Sequence, residues 1–320
     1  MVRTSLQVKV AQRIAISSDL IQLQLITPEP TQALPSWEPG AHIDVHISPA
    51  LQRSYSLCNT LEQTTGYWIA IKLEPNSRGG SQFMHALRVG DLLTISEPSN
   101  QFELVKTAPA YVLLAGGIGI TPLYAMFSYL KAQNRPVDLH YFVRDVQQAA
   151  FSSELQALGA TIYSGLDAVF TYSKLTDIIT RLPPAAALYS CGPAAFLDYV
   201  SIIARSQSIP ESLQHQERFM PAAALLHKKS QATGFEVHFA RSHKTCFVGA
   251  RQSIIEAAAE VDVVIPKNCE MGICGTCVTA VLEGEPEHYD EVLSPEERTS
   301  QAWIVPCISR CSSKRLVLDR

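Results

Sequence analysis

Cys269, Cys274, Cys277 and Cys307 stand in a C-x4-C-x2-C pattern with a distant fourth cysteine, the spacing with which plant-type ferredoxins hold a [2Fe-2S] cluster. Three thiolates on one short loop must wrap a compact cluster, and Gly272 and Gly275 let the backbone come close enough for N–H groups to point at sulfur. Cys307, on the segment Ile304 to Ile308, closes the fourth corner. A structural zinc site is the alternative. Such sites usually present two short-spaced pairs, whereas here one C-x2-C is joined by a single cysteine five residues upstream. The other cysteines, Cys58, Cys191, Cys246 and Cys311, are scattered, and a chain of this length does not need disulfide staples.

Two segments could cradle a nucleotide. Leu114-Ala115-Gly116-Gly117-Ile118-Gly119-Ile120-Thr121-Pro122 sits where an apolar strand runs into a helix, so glycines there let the backbone approach phosphates at a helix N-terminus. Pro122 replaces the third glycine of the dinucleotide fingerprint, and a glycine-rich turn serves tight packing as readily as binding. Tyr189-Ser190-Cys191-Gly192-Pro193 ends a later strand, at the sheet edge where open α/β sheets bind ligands. Together the two strand ends point to a dinucleotide crevice.

Nearer the start, Arg53-Ser54-Tyr55-Ser56 combines a guanidinium able to fork onto phosphate, a ring able to lie on a flat cofactor, and two hydroxyls. Ser77-Arg78-Gly79-Gly80-Ser81 offers amides and a hydroxyl at a helix start. The plainer readings are a surface charge for Arg53 and a core residue for Tyr55. A redox argument favours a flavin: a nicotinamide gives up two electrons as hydride, whereas one [2Fe-2S] cluster takes one at a time, so a chain holding both needs a group stable in three redox states.

These residues need elements to position them. The segments Leu6 to Ile14, Leu20 to Thr27, His42 to Ile47, Ser54 to Cys58, Tyr67 to Leu73 and Leu92 to Ser96 read as short strands, with a helix after Gly80; that pattern predicts an antiparallel β-barrel. From Tyr111, the strands Tyr111 to Ala115, Leu139 to Val143 and Ala187 to Cys191 alternate with the helices Pro122 to Ala132 and Ala194 to Arg205, the signature of an α/β parallel-sheet domain. Past a linker-like stretch at Pro221 to Thr233, stopped by Met220-Pro221, come a hairpin of Phe235 to Phe239 and Lys244 to Val248 and a helix capped by Ser253 and running to Ala259. The expected fold is multidomain: a flavin barrel over 1–104, a nucleotide domain over 105–225, a linker over 226–233, and an α+β ferredoxin-like (β-grasp) domain over 234–320.

Composition narrows the function classes. A formal charge of -4 over 320 residues argues against nucleic acid, and 47% hydrophobic content suffices for the cores. No targeting signal and no membrane-length apolar run is read, so a reducing cytoplasm is the expected location. The chain has no C-x-H pair for a Rieske centre and no haem-thiolate segment, and its nine histidines form no facial-triad-like cluster. Any oxygenation therefore falls to a partner. His42, His46 and His238 are read as strand-surface or satisfied core residues.

With barrel, nucleotide domain and ferredoxin in that order, and R-x-Y-S, R-G-G-S, G-G-I-G-I-T-P, C-G-P and C-x4-C-x2-C along them, the whole chain resembles the phthalate dioxygenase reductase family, which includes reductases of vanillate demethylases and carnitine monooxygenases. The resemblance implies FMN, NADH and a plant-type cluster passing electrons in that order to a separate Rieske-type oxygenase, from a monomer. It places Arg53, Gly79, Gly80 and Ser81 at the FMN phosphate, with Tyr55 and Ser56 flanking the isoalloxazine. Thr121 falls where flavin meets nicotinamide, and Gly117, Gly119, Cys191, Gly192 and Pro193 line the nicotinamide site; Ser56, Thr121 and Cys191 are the candidate catalytic residues. Phe219 matches an aromatic near the flavin, with a core phenylalanine as the other reading. Arg144-Asp145 falls at the adenosine ribose, where Asp145 would repel a 2′-phosphate and favour NADH while Arg144 would do the opposite.

Two other readings stand beside this one. In one the partner is a cytochrome P450, and in the other the chain is an iron-sulfur redox sensor; a pure sensor has no need of Arg53-Ser54-Tyr55-Ser56 and Cys191-Gly192-Pro193. Glu283, Glu285, Glu287, Asp290 and Glu291, downstream of a loop that also carries Glu270, Met271 and Ile273, are expected to form an acidic docking surface.

Overall fold

The computed structural model describes residues 5–29, 33–48, 51–60, 63, 65–75, 77, 79–219, 234–250, 252–268, 270, 272, 274–290 and 292–320. The stretch 220–233, with the expected linker, lies outside the described residues, as do Arg78, Cys269, Met271, Ile273 and Glu291. The chain forms two compact units, Met1–Ile47 with Ser54–Phe219, and Ser48–Arg53 with Met220–Arg320.

The first unit opens with β1 (Ser5–Ala15), β2 (Leu20–Ile26), β3 (Ala41–Ser48), β4 (Leu51–Ser56), β5 (Tyr67–Lys72), helix α1 (Gly80–Ala86), β6 (Leu92–Ser96) and β7 (Ser99–Asn100). The sheet order is β4-β3-β6-β1-β2-β5, with β7 on β3. Just past β4 the chain bridges to β5: Leu57 pairs with Ile69, and the Cys58 N–H donates to the Trp68 carbonyl. That closure removes the open edges and makes an antiparallel barrel. Its interior is the set of inward side chains Val8, Leu23, Leu25, Ile43, Ile69 and Ile95, all fully buried. β4 begins at Leu51, three residues before the expected Ser54.

A parallel sheet follows in the same unit, from β8 (Tyr111–Gly116), β9 (Val137–Val143), β10 (Thr161–Ser164), β11 (Ala187–Gly192) and β12 (Gln214–Arg218). Its order is β10-β9-β8-β11-β12 and every pairing is parallel. Successive strands run outward from β8 one way and then, after a crossover, from β11 the other, so the C-terminal ends of β8 and β11 form the switch point where such sheets open a crevice. β8 reads YVLLAG because both faces are covered: Leu113 and Ala115 join one apolar cluster, Val112 and Leu114 another. Helices α2 (Ile120–Ala132), α3 (Ser152–Ala157), α4 (Ala168–Ile179) and α5 (Ala194–Ser206) supply the covering. The cluster holding Leu113 also holds Leu20, Trp68 and Phe102, so barrel and parallel sheet share a core.

The second unit carries β13 (Phe235–Phe239) and β14 (Lys244–Val248) as a hairpin, then α6 (Ile254–Glu260), β15 (Thr279–Glu283), β16 (Pro286–Glu287), α7 (Pro295–Ser300), β17 (Trp303–Ile304), β18 (Arg310–Cys311) and β19 (Arg315–Leu318). Its main sheet runs β14-β13-β19-β15-β17, with β13 parallel to β19 at the centre, a ferredoxin-like β-grasp. Helix α6 starts at a capping box in which the Ser253 hydroxyl accepts from the Glu256 N–H and the Glu256 carboxylate accepts from the Ser253 N–H. Ile254, Ala257 and Ala258 pack it on Val237, Phe239 and Leu316. Among the described residues no helix is long and apolar enough to cross a membrane.

Candidate flavin, nucleotide and iron-sulfur sites

Three of the four candidate cluster ligands lie in the second unit, with Cys307 hydrogen-bonded to Cys277 and within electrostatic reach of Cys274; without Cys269 they do not by themselves make a metal-holding group among the described residues. Cys277 and Cys307 are buried and Cys274 is partly exposed; Cys269 lies outside the described residues. A hydrogen bond with Cys277 raises the Cys307 thiol far above its ordinary range, burial adds to this, and the backbone of Gly272 pulls the other way. Thiols crowded like this repel as thiolates, and a bound cation cluster removes the conflict. Two turns of the loop depend on glycine, with φ of 76° at Gly272 and 74° at Gly275. A Cβ at Gly272 would also sit 2.6 Å from Ile308 Cγ2 and 3.1 Å from the Asp290 Cα. The convergent thiols and close-approach glycines fit a [2Fe-2S] cluster.

At the switch point of the parallel sheet the glycines divide by purpose. A Cβ at Gly119 would lie 2.3 Å from the Cys191 carbonyl oxygen, and one at Gly192 3.0 Å from the Gly116 Cα, so these are packing glycines that press the start of α2 onto β11. Gly117 differs: φ is 55° and a Cβ would meet nothing within 4 Å, leaving an open approach to the backbone. Pro193 is the N-cap of α5 beside it, with no capping side chain.

Thr121 is buried in the first turn of α2, its hydroxyl donating to the Ile118 carbonyl at 3.1 Å. Phe219 packs, partly buried, against the cluster containing Ile120 and Cys191. Asp145 and Arg144 are exposed past the end of β9, and Asp145 Oδ1 accepts from the Gln147 N–H at 2.9 Å.

Cys191 is fully buried, and burial holds its thiol well above the ordinary range, with the neighbouring Glu217 carboxyl adding to the effect. It is an uncharged thiol in the wall of the crevice. Glu217 is a residue that the sequence does not flag: its carboxyl is buried, pushed up to about 8 by desolvation, and Oε2 has no hydrogen-bond partner among the described residues. Its strand, QHQER, has no apolar period that would have marked it as a strand at all.

In the barrel, Ser56 is buried, and Tyr55 packs one side against the barrel core while staying partly accessible. Gly79, at φ 95°, is the N-cap of α1, with no side-chain cap; Gly80 is buried in the first turn, and the Ser81 hydroxyl accepts from the Glu74 N–H at 3.1 Å. Uncapped helix amides beside a glycine pair suit phosphate oxygens, and a half-covered tyrosine suits a flat ring, so these residues fit a flavin mononucleotide. The surface-charge reading of Arg53 is corrected. Within the second unit its Nη2 lies 3.0 Å from Glu270 Oε1, its Nη1 donates to the Asn268 carbonyl, and the side chain is only 16% exposed. His42 and His46 are partly buried on β3, and His238 shares a 2.9 Å hydrogen bond with Thr245, in line with their reading as strand residues. In the expected docking surface Glu283, Glu285 and Glu287 are exposed, but Asp290 is 4% exposed and is no part of that surface, because backbone amides draw its carboxylate inward.

Comparison with known proteins gives the class. Residues 7–104 match the family described as "Oxidoreductase FAD-binding domain", and residues 237–312 the "2Fe-2S iron-sulfur cluster binding domain". The vanillate O-demethylase oxidoreductase of Acinetobacter baylyi is 37% identical over 289 residues, covering 89% of this chain and 90% of that protein. The solved structure of phthalate dioxygenase reductase superposes with a TM-score of 0.77 at 34% identity, covering 99% of this chain and 98% of that one. An intact type IV self-sufficient cytochrome P450 monooxygenase superposes with a TM-score of 0.73 at 32% identity; it covers 99% of this chain, which spans 41% of that one. The chain belongs to the phthalate dioxygenase reductase family: it is a flavin- and [2Fe-2S]-dependent oxidoreductase that serves as the reductase component of an oxygenase system.

Proposed function

We propose that this chain is a monomeric, cytoplasmic NADH-dependent reductase whose electrons go to a separate Rieske-type oxygenase. The observation that carries the reading is the union, in one chain, of a parallel-sheet crevice at Gly117 and Cys191 with a convergent thiol set at Cys274, Cys277 and Cys307. Bound FMN would supply a centre stable in three redox states, able to accept a hydride's two electrons and release them one at a time. Three modules divide the work, over 1–104, 105–225 and 234–320.

The chain's own residues bind and orient. Gly117 leaves the backbone open to the dinucleotide, while Gly119, Gly192 and Pro193 shape the crevice. Asp145 favours NADH by opposing a 2′-phosphate. Tyr55 and Ser56 flank the flavin ring with Thr121 and Phe219 near it, and Gly79, Gly80 and Ser81 serve its phosphate. Cys191 acts as a neutral, buried wall.

A P450 partner is the second reading, supported by the likeness to the self-sufficient monooxygenase. Acid extraction and iron analysis test the cofactors: the expected result is one FMN and two irons with inorganic sulfide per chain, and FAD, or zinc without sulfide, overturns the reading. Coupling assays with a purified Rieske oxygenase and a purified P450, each with its own substrate, separate the partners. NADH-dependent product from the first supports the Rieske assignment, and product from the P450 alone overturns it.

A further inference from the structure

Among the described residues of the second unit, Asp290 is the most enclosed carboxylate, with no side-chain exposure. Oδ2 accepts from the Val292 and Leu293 N–H groups at 3.2 and 2.9 Å, and Oδ1 accepts from the Ser309 hydroxyl at 3.1 Å. Arg298 Nη2 donates to the Asp290 carbonyl at 2.6 Å and lies 3.6 Å from Oδ2. His288 Nδ1 stands 3.7 Å from Oδ1 without a hydrogen bond, and neither ring nitrogen has a partner among the described residues. The carboxylate is thus built in by three donors and faced by one cationic side chain, Arg298.

Its position gives it reach toward the thiols. Gly272, inside the ligand loop, rests on the Asp290 backbone, and the Gly272 backbone hydrogen-bonds the Cys307 sulfur. Ser309, the partner of Oδ1, stands two residues beyond Cys307, and its hydroxyl also accepts from the Tyr289 N–H at 3.2 Å. One side chain therefore ties the residue two beyond the fourth ligand to the backbone on which Gly272 of the ligand loop rests. We propose that Asp290 is a positioning residue of the iron-sulfur site that holds the Cys307 segment against the ligand loop and, through its fixed negative charge, keeps the site's reduction potential low.

The physical argument is one of charge. Adding one electron to the site adds one negative charge, which a nearby buried carboxylate opposes far more strongly than an exposed one. A low potential at the last carrier favours onward transfer over storage. The inference rests on the [2Fe-2S] reading, and the test separates the two.

The measurement is the midpoint potential of the holoenzyme, from EPR-monitored dithionite titration of the parent, Asp290→Asn and Ser309→Ala. Asp290→Asn keeps the shape and removes the charge; it is expected to shift the reduction equilibrium about tenfold toward the reduced form, about 59 mV upward for one electron. Ser309→Ala removes a donor that shields the carboxylate, and is expected to move the equilibrium about threefold the opposite way. Opposite signs are the signature that a loosened fold alone would not give. An unchanged potential in a cluster-replete Asp290→Asn protein overturns the inference. If that variant does not assemble a cluster, Ser309→Ala decides: a lowered potential supports the inference, and an unchanged or raised one overturns it. A parent protein without a [2Fe-2S] signal overturns the underlying reading instead.

Discussion

Cys191 and Glu217 are register partners on the parallel strands β11 and β12, at the C-terminal edge of the sheet. Burial raises both groups, and the Glu217 carboxyl adds to the rise of the Cys191 thiol. The pair is therefore uncharged near neutral pH.

The pair makes stability depend on pH. The Glu217 carboxyl has an ordinary value of 4.5 and is pushed up to about 8 in the folded chain. The folded state therefore holds this proton more tightly than the unfolded state: the stabilisation is fully present below about 4.5 and is lost as pH rises through about 8. Glu217→Gln, a neutral isostere, should match the parent at low pH and exceed it at pH 9 by roughly 2–4 kcal/mol. Urea denaturation of both proteins at pH 5 and pH 9 checks this. Identical pH slopes would contradict it.

Packing and approach should separate at the glycines. Gly119→Ala places a methyl against the Cys191 carbonyl, an overpacking expected to cost about 3 kcal/mol. Gly117→Ala meets open space at φ 55°, costing about 1–2 kcal/mol of backbone strain. The second variant should stay folded while its KM for NADH rises several-fold, measured by dye reduction. An unchanged KM returns Gly117 to a plain turn residue.

How much of this was legible in the sequence follows from the physics of each element. The hairpin at Phe235–Phe239 and Lys244–Val248 and the Ser253 cap are written locally, in alternation and in a capping box, and they appear where expected. The polar strand Gln214–Arg218 is defined by pairing with β11 rather than by its own residues, so nothing in QHQER could reveal it. Ser54 as a strand start failed for a similar reason: Leu51 to Arg53 are partly buried without alternation. At the sites, the cysteine spacing singled out Cys277 and Cys307, which the structure joins by a hydrogen bond. The division of glycines into packing and open ones depends on contacts far apart in sequence, such as Gly119 against Cys191, and Asp290 is drawn in by the amides of Val292 and Leu293 together with Ser309.

An acidic surface on the ferredoxin-like unit should steer its partner. Glu283, Glu285 and Glu287 are exposed, and long-range attraction raises the encounter rate and fades with salt. Changing the three to Gln should flatten the ionic-strength dependence of oxygenase-coupled turnover and leave NADH-to-dye activity unchanged. An identical salt dependence in parent and variant excludes docking by charge at these residues.

Sequential transfer, with the cluster as the last carrier, is tested most directly by Cys274→Ser, since thiolate ligation is confined to the last unit. Reduction of a two-electron dye and of a one-electron protein acceptor, both driven by NADH, is measured on the folded, FMN-replete variant. The expected result is dye reduction within about twofold of the parent, with reduction of the protein acceptor falling a hundredfold or more, a loss equivalent to roughly 3 kcal/mol of barrier. Equal loss of both activities in that protein would contradict it.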